Sequence, residues 1–292
     1  MRIALLACVV SAWLPLPLPA QNDPLVRPYT AEQCSACAGW NAPQSPVHLH
    51  GNTYYVGTRG LGAILIASAA GHVLIDGGLP NSAPLILANI RALGFDVRDV
   101  KLILNSHAHF DHAGGIAALK RATGARVAAS RSSIVALRRG TPSADDPQYG
   151  IALEMPAVPD ADVLVDSQTI RVGPLALTAH VTGGHSPGGT TWSWRSCEAE
   201  RCLDFVYADS QSPVSRDDFR FANSNAQSEF LRGFARLEQI RCDILITPHP
   251  SASSLWERIS AAQDSLVDPT ACKRYAGAAR AQLQARLERE TK

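Results

Sequence analysis

The chain has 292 residues, enough for one large domain or two modest ones, and a hydrophobic content of 46% supplies a sizeable core. A formal net charge of +1 leaves no basic field to gather nucleic acid or an anionic membrane surface. Charged residues make up 18% of the chain, below the roughly 25% usual for globular proteins, so composition alone indicates a well-packed globular protein and nothing more specific.

The N-terminus stands apart. Arg2 gives a short positive region, Ile3 to Leu18 is apolar apart from Ser11 and two prolines, and Ala20 precedes the polar Gln21. Residues 1–20 therefore read as a secretory signal peptide, too short and too proline-broken for a membrane span. The competing reading is an anchor that is never cut. Export through this segment implies a periplasmic protein whose mature part, 21–292, forms a single domain without membrane attachment and works as a monomer. Removing Cys8 with the signal leaves Cys34, Cys37, Cys197, Cys202, Cys242 and Cys272. An even number in an exported chain argues for disulfides. Local spacing favours Cys34–Cys37 and Cys197–Cys202 as small loops, leaving Cys242–Cys272 as a long-range clamp. The rival is a zinc or redox role for Cys34-x-x-Cys37.

In the mature chain, His48 to Thr58 alternates around Gly51-Asn52, a turn between two short strands. Leu61 to Ser68 and His72 to Asp76 form a second hairpin. Residues 82–93 follow a helical period closed by Gly94, and Lys101 to Asn105 is a short apolar run suited to a buried strand. A helix is expected from about Ala113 to Thr123, closed by Gly124. Val127 to Ser130 reads as a strand, 131–139 as a helix, and 140–162 as a long Pro-, Asp- and Ala-containing loop. Loops of that length in compact domains are often functional, which makes it a candidate substrate-facing flap. Strands follow over Ile170 to Thr182, Thr190 to Trp194, Phe205 to Ala208 and Asp243 to Thr247, with helices at 225–240 and 269–290. Two successive β-then-α halves predict an α/β fold: an αββα sandwich of two mixed sheets packed face to face, helices outside. Loops after strand ends at 106, 183, 209 and 248 would then converge on one edge.

Ser106-His107-Ala108-His109-Phe110-Asp111-His112 places three imidazoles and a carboxylate in six positions, between a buried strand and a helix. Imidazole nitrogen and carboxylate oxygen are ligands that zinc prefers, at about 2.0–2.2 Å. Iron or manganese would accept the same set. In an extended loop His107 and His109 point to the same side and can share one ion, while Asp111 and His112 at the turn can reach a second. His185, in a glycine-rich loop, and His249, in Thr247-Pro-His-Pro250, are the histidines placed to complete the two sites. His48, His50, His72 and His180 read as ordinary structural histidines.

This His-x-His-x-Asp-His motif, with later histidines at 185 and 249 and Asp76 near the end of an early strand, resembles the metallo-β-lactamase superfamily. It is most similar to subclass B3, which keeps histidine at the first motif position and serine where other subclasses have a metal-binding cysteine; here the stretch is Tyr207-Ala-Asp-Ser-Gln-Ser212. Trp40-Asn-Ala-Pro-Gln44, Tyr55-Val-Gly-Thr-Arg59, Gly188-Gly-Thr-Thr-Trp192 and Thr247-Pro-His-Pro-Ser251 resemble that subclass as well. The resemblance implies two Zn(2+) per subunit, one on His107, His109 and His185 and the other on Asp111, His112 and His249. It also implies hydrolysis of the amide bond of β-lactam antibiotics (carbapenems, penicillins, cephalosporins) by a zinc-bound hydroxide. Asp111 and His112 would hold the water that protonates the leaving nitrogen. By the same resemblance Ser210 would stand near the second zinc, Ser212 would contact the substrate carboxylate, and Gln148 and Trp40 would wall the pocket. Gly183 departs from the superfamily's usual proline. Asp209 could instead bridge the metals, as in glyoxalase II and lactonases, so another hydrolase of this scaffold is the alternative. A non-catalytic zinc-storage protein is a rival of a different class.

Overall fold

The computed structural model describes residues 23–261 and 265–291. The segment read as a signal peptide, 1–20, lies outside the described residues. In chain order the elements are α1 (Cys37–Trp40), β1 (Val47–His50), β2 (Thr53–Tyr55), β3 (Ile64–Ile66), β4 (His72–Ile75), α2 (Ala83–Ala92), β5 (Val100–Leu104), α3 (Phe110–Ala113) and α4 (Ile116–Thr123). There follow β6 (Arg126–Ser130), α5 (Ser133–Arg139), β7 (Asp162–Leu164), β8 (Thr169–Val172), β9 (Leu175–Val181), β10 (Thr190–Glu198) and β11 (Arg201–Tyr207). The last are α6 (Asn225–Gln239), β12 (Ile244–Ile246), α7 (Leu255–Ser260) and α8 (Ala271–Glu290).

The strands form two mixed sheets, one in the order β1-β2-β3-β4-β5-β6-β7 and one in the order β12-β11-β10-β9-β8. The first is antiparallel from β1 to β4 and parallel from β4 to β7. The second is antiparallel except for the parallel pair β11/β12.

Strand alternation explains how the layers assemble, because successive side chains point to opposite faces. In β3, β4 and β5 the outer residues of each apolar triplet (Ile64 and Ile66, Val73 and Ile75, Leu102 and Leu104) join the cluster between the sheets. The central Leu65, Leu74 and Ile103 join a second cluster with Ile86, Ile90, Leu119 and Leu137 from α2, α4 and α5. The other sheet repeats the scheme. Trp192, Trp194, Phe205, Tyr207, Ile244 and Ile246 face inward, while Val206 and Leu245 pack outward against Phe230, Phe234 and Leu237 of α6 and Ala276, Ala279 and Leu283 of α8. Strands covered on both faces read as unbroken apolar runs, which is why Ile64–Ile66, Leu102–Leu104 and Ile244–Ile246 show no polar alternation. The predicted αββα sandwich is the observed one.

Differences from the predicted elements are local. The helix predicted over 113–123 is α4, beginning at Ile116, and the short α3 precedes it; between them Gly115 packs against Gly77, where a Cβ would come 2.2 Å from the Gly77 carbonyl oxygen. The 170–182 strand is the hairpin β8/β9 turned at Gly173-Pro174, and β10 and β11 run longer than expected. β7 and α7 went unpredicted, since both are short and carry little periodicity. β7 trims the long loop to 140–161. Three disulfides join Cys34 to Cys37, Cys197 to Cys202 and Cys242 to Cys272. Cys197 and Cys202 are paired across β10 and β11, and the last bridge ties the first turn of α8 to the entry of β12. Among the described residues no helix is long and apolar enough to cross a membrane.

Candidate active site

The four loops after β5, β9, β11 and β12 do meet at one edge of the sandwich, and a buried aspartate locks the first of them. Asp76, at the end of β4 with φ of 63°, accepts hydrogen bonds from the Ser106 backbone N–H (2.7 Å), the Asn105 amide (3.1 Å), the Ser106 hydroxyl (2.6 Å) and the Tyr207 hydroxyl (2.9 Å). Burial pushes its carboxyl above the ordinary range, although these donors and His112 pull the other way. Its work is to pin the strand end from which the His-x-His-x-Asp-His segment departs.

His107, His109 and His185 converge, with one ligand atom from each within 4.8 Å of the others. Every ring is braced from behind. His107 Nδ1 donates to Asp209 Oδ1 (2.7 Å), His109 Nε2 donates to Asp146 Oδ2 (2.9 Å), and His185 Nδ1 donates to the Ser212 carbonyl (2.8 Å). These partners accept, so the bonded nitrogens carry protons and the opposite ring nitrogens are left to face the cluster. His107 Nε2 has no hydrogen-bond partner although it is buried. Burial, followed by the neighbouring histidines, holds His107 well below the ordinary imidazole range; burial and then His109 bring His185 down to about 3. His107 and His185, disfavoured as cations by their burial, are poised to ligate a metal ion rather than to bind protons.

The second group is Asp111, His112 and His249. His112 Nε2 and His249 Nε2 stand 3.2 Å apart, and Asp111 Oδ2 is 3.2 Å from each. Three ligands of a tetrahedral ion at the usual zinc bond lengths are separated by about 3.3 Å. This triangle therefore has the size a zinc ion would demand. Burial alone would raise the Asp111 carboxyl, yet the charge and hydrogen bonds of His112 and His249 hold it well below its ordinary range. His107 also falls within 4.8 Å of Asp111 and His112, so the two groups are contiguous. The unpartnered His107 Nε2 and the ligand spacing both fit metal.

The predicted walls lie beside this cluster. Gln148 Nε2 is 3.3 Å from His185 Nε2 and 3.5 Å from His109 Nδ1, and Trp40 lies 5.1 Å from His249 between ring centroids. Ser210, Ser212 and His249 share a cavity of about 190 Å³ with Tyr275, Ala278 and Gln282 of α8. His48, His50, His72 and His180 are bonded elsewhere, to the Gly51 and Arg201 carbonyls, the Ser68 backbone N–H and the Ser193 hydroxyl.

The sequence profile of the metallo-beta-lactamase superfamily matches residues 41–249, the span from the α1 exit to the last histidine. The chain belongs to that superfamily. Among solved structures it is 51% identical to the Rm3 metallo-beta-lactamase (TM-score 0.86; 89% of this chain and 99% of that one covered). It is 46% identical to MEM-A1, a subclass B3 metallo-beta-lactamase from a soil metagenome library (TM-score 0.83; 86% and 98% covered). BJP-1, a subclass B3 enzyme of Bradyrhizobium japonicum, is 31% identical (TM-score 0.80; 88% and 98% covered). These relatives place the chain in subclass B3, as a hydrolase of the metallo-beta-lactamase family. A hydroxyacylglutathione hydrolase from Anaeromyxobacter dehalogenans is 32% identical over 130 residues, a match spanning 44% of this chain and 40% of that relative's length.

Two features of the B3 site escaped sequence reasoning. Asp209 does not lie between the two ligand groups: it accepts from the Nδ1 side of His107, with its other oxygen unpartnered and its backbone carbonyl accepting from the Tyr275 hydroxyl (3.0 Å). Gly189 makes room for it, since a Cβ there would fall 2.0 Å from Asp209 Oδ2. Asp146, two residues before Gln148, is 1% exposed and bonded to a motif histidine. Its separation of 37 residues from His109 leaves no local signal to detect.

Proposed function

We propose that the protein is an exported, zinc-dependent β-lactamase whose two ions are held by His107/His109/His185 and by Asp111/His112/His249. The observation that carries the reading is the pair of contiguous, metal-sized ligand groups opening onto a wall with serines at 210 and 212 and no cysteine. Zinc, when bound, supplies Lewis acidity and lowers the pKa of a bound water to about 7.

The chain's own residues account for the remaining tasks. Hydrogen bonds from behind fix the three rings of the first group, so no ligand reorientation is needed during turnover. The single ligand carboxylate, Asp111, leaves excess positive charge at a divalent pair, which draws the carboxylate that β-lactams carry. The Ser212 hydroxyl lines the cavity beside His249, where it would donate to that carboxylate. Ser210 lines the same wall beside His249. Gln148 and Trp40 flank opposite groups and would hold the bicyclic nucleus between them. On the flap, Tyr149 and Ile151 are 48% and 53% exposed next to Gln148, giving apolar surface for the antibiotic's side chain.

Relatives named as metallo-beta-lactamases across nearly their whole length support this substrate over a thioester. The thioesterase alternative draws on the partial match to the hydroxyacylglutathione hydrolase. The Asp209 bond to His107 speaks against it, because a carboxylate engaged there does not reach both ligand groups.

Purified residues 21–292 should bind about two zinc ions and open carbapenems, penicillins and cephalosporins, followed by loss of the lactam absorbance. Chelation should abolish that turnover and added zinc restore it. Turnover of lactones or glutathione thioesters without any β-lactam hydrolysis would overturn the substrate assignment while leaving the metal reading intact.

A further inference from the structure

The 140–161 flap and the first ligand group meet at one carboxylate. Asp146 is 1% exposed, and both of its oxygens are used. Oδ2 accepts from His109 Nε2 (2.9 Å) and from the Ser186 hydroxyl (3.2 Å), the residue next to His185. Oδ1 accepts from the backbone N–H of Gln148 (2.7 Å), closing a tight turn of the flap. The same stretch is tied to the loop after β11: the Arg216 backbone N–H donates to the Pro147 carbonyl (2.9 Å), and its guanidinium donates to the Asp146 carbonyl (3.3 Å).

From this geometry we propose that Asp146 is a positioning residue that couples the shape of the flap to the first metal group. Its Oδ2 sets the orientation of His109 and steadies the His185 loop. Its Oδ1 sets where Gln148 stands over those two rings. A cation drawing on the His109 lone pair polarises the Nε2–H toward Asp146 and strengthens that bond. The gain is passed to the flap through the same carboxylate, so ligation orders residues 143–152. By reciprocity of coupling, an ordered flap favours ligation to the same degree. Direct contact with substrate is left to Gln148.

Asn is the informative replacement, because a carboxylate offers two acceptor oxygens and an amide only one. Asp146→Asn must leave either His109 Nε2–H or Gln148 N–H facing a donor. The inference rests on the zinc reading above, and its test separates the two. Zinc affinity is measured by chelator competition, and amide hydrogen exchange over 143–152 is followed in the zinc-loaded and zinc-stripped full chain. In the unmodified protein, zinc should slow exchange across the flap severalfold. Asp146→Asn should lose about 10–100-fold in affinity for one of the two ions, the range typical of a partner behind a ligating histidine. Its flap exchange should no longer respond to zinc. Gln148→Ala, which keeps both Asp146 oxygens engaged, should hold zinc within about threefold of the parent while raising KM.

A merely structural latch would lower Tm and leave affinity alone, and that result overturns the proposal. So does flap exchange in the parent that is the same with and without zinc, a comparison that decides the matter even if Asp146→Asn fails to fold. Failure of the parent to bind zinc would overturn both readings. Zinc-coupled exchange without β-lactam turnover would overturn the substrate alone.

Discussion

The two ligand groups sit side by side but are built differently. In the first, His107, His109 and His185 are 0%, 3% and 8% exposed, and each is held from behind by Asp209, Asp146 or the Ser212 carbonyl. In the second, the His249 side chain is 27% exposed, His112 Nδ1 lacks a partner, and the negative charge comes from Asp111 within the group itself. Burial and bracing preorganise ligands and slow their exchange with water, whereas an exposed corner admits solvent and substrate. The pair therefore differs in firmness: the first group is buried and held from behind, and the second has a solvent-facing corner at His249.

The sharpest way to break this contrast is to remove one member of each group. His109→Ala should lower kcat/KM by on the order of 10³-fold or more, about 4 kcal/mol of transition-state stabilisation, with far-UV circular dichroism unchanged. Elemental analysis should show loss of tightly held zinc. Retention of a tenth of the parent's activity would mean that the first group is not the seat of reaction.

His249→Ala should cost less, on the order of 10²-fold, because the braced group stays whole. In the parent, stripping with increasing chelator should proceed in two steps, the second group releasing its ion first. A single-step release, or the same residual activity in both variants, would erase the distinction between the groups.

The smallest effect concerns the zinc-stripped protein. His185 titrates near 3 in the fold against 6.5 for an unperturbed imidazole, so it is depressed on folding. The unfolded chain then binds the extra proton first, and stability is lost as pH falls from about 6.5 toward about 3. His185→Gln removes this contribution. Its Tm, relative to the parent, should improve by about a few degrees on going from pH 7 to pH 5. A Tm difference that does not change with pH would show that His185 is not held neutral by its surroundings.

Local chemistry was enough to find most of these residues. His107, His109, Asp111 and His112 fall in one six-residue loop, so their meeting depends on little more than a turn, and apolar triplets such as Ile64–Ile66 and Ile244–Ile246 announce buried strands by composition alone. Helix ends at Gly94 and Gly124 were readable because a left-handed residue favours glycine, and both have positive φ. The cysteine pairings followed from spacing for the two short loops and were completed by the Cys242–Cys272 bridge.

Contacts between distant segments were decided only by the tertiary structure. Asp209 lies 102 residues from His107, Asp146 lies 37 from His109, and Tyr275 of α8 reaches back 66 residues to Asp209. A buried carboxylate behind a histidine looks in sequence like any surface aspartate, since its meaning comes from the desolvated partner it faces rather than from its neighbours in the chain. The sequence by itself determined the layered fold and which side chains could hold metal. Packing of the two sheets, which brings four strand ends to one edge, decided which acceptors stand behind those side chains and so how firmly each is held.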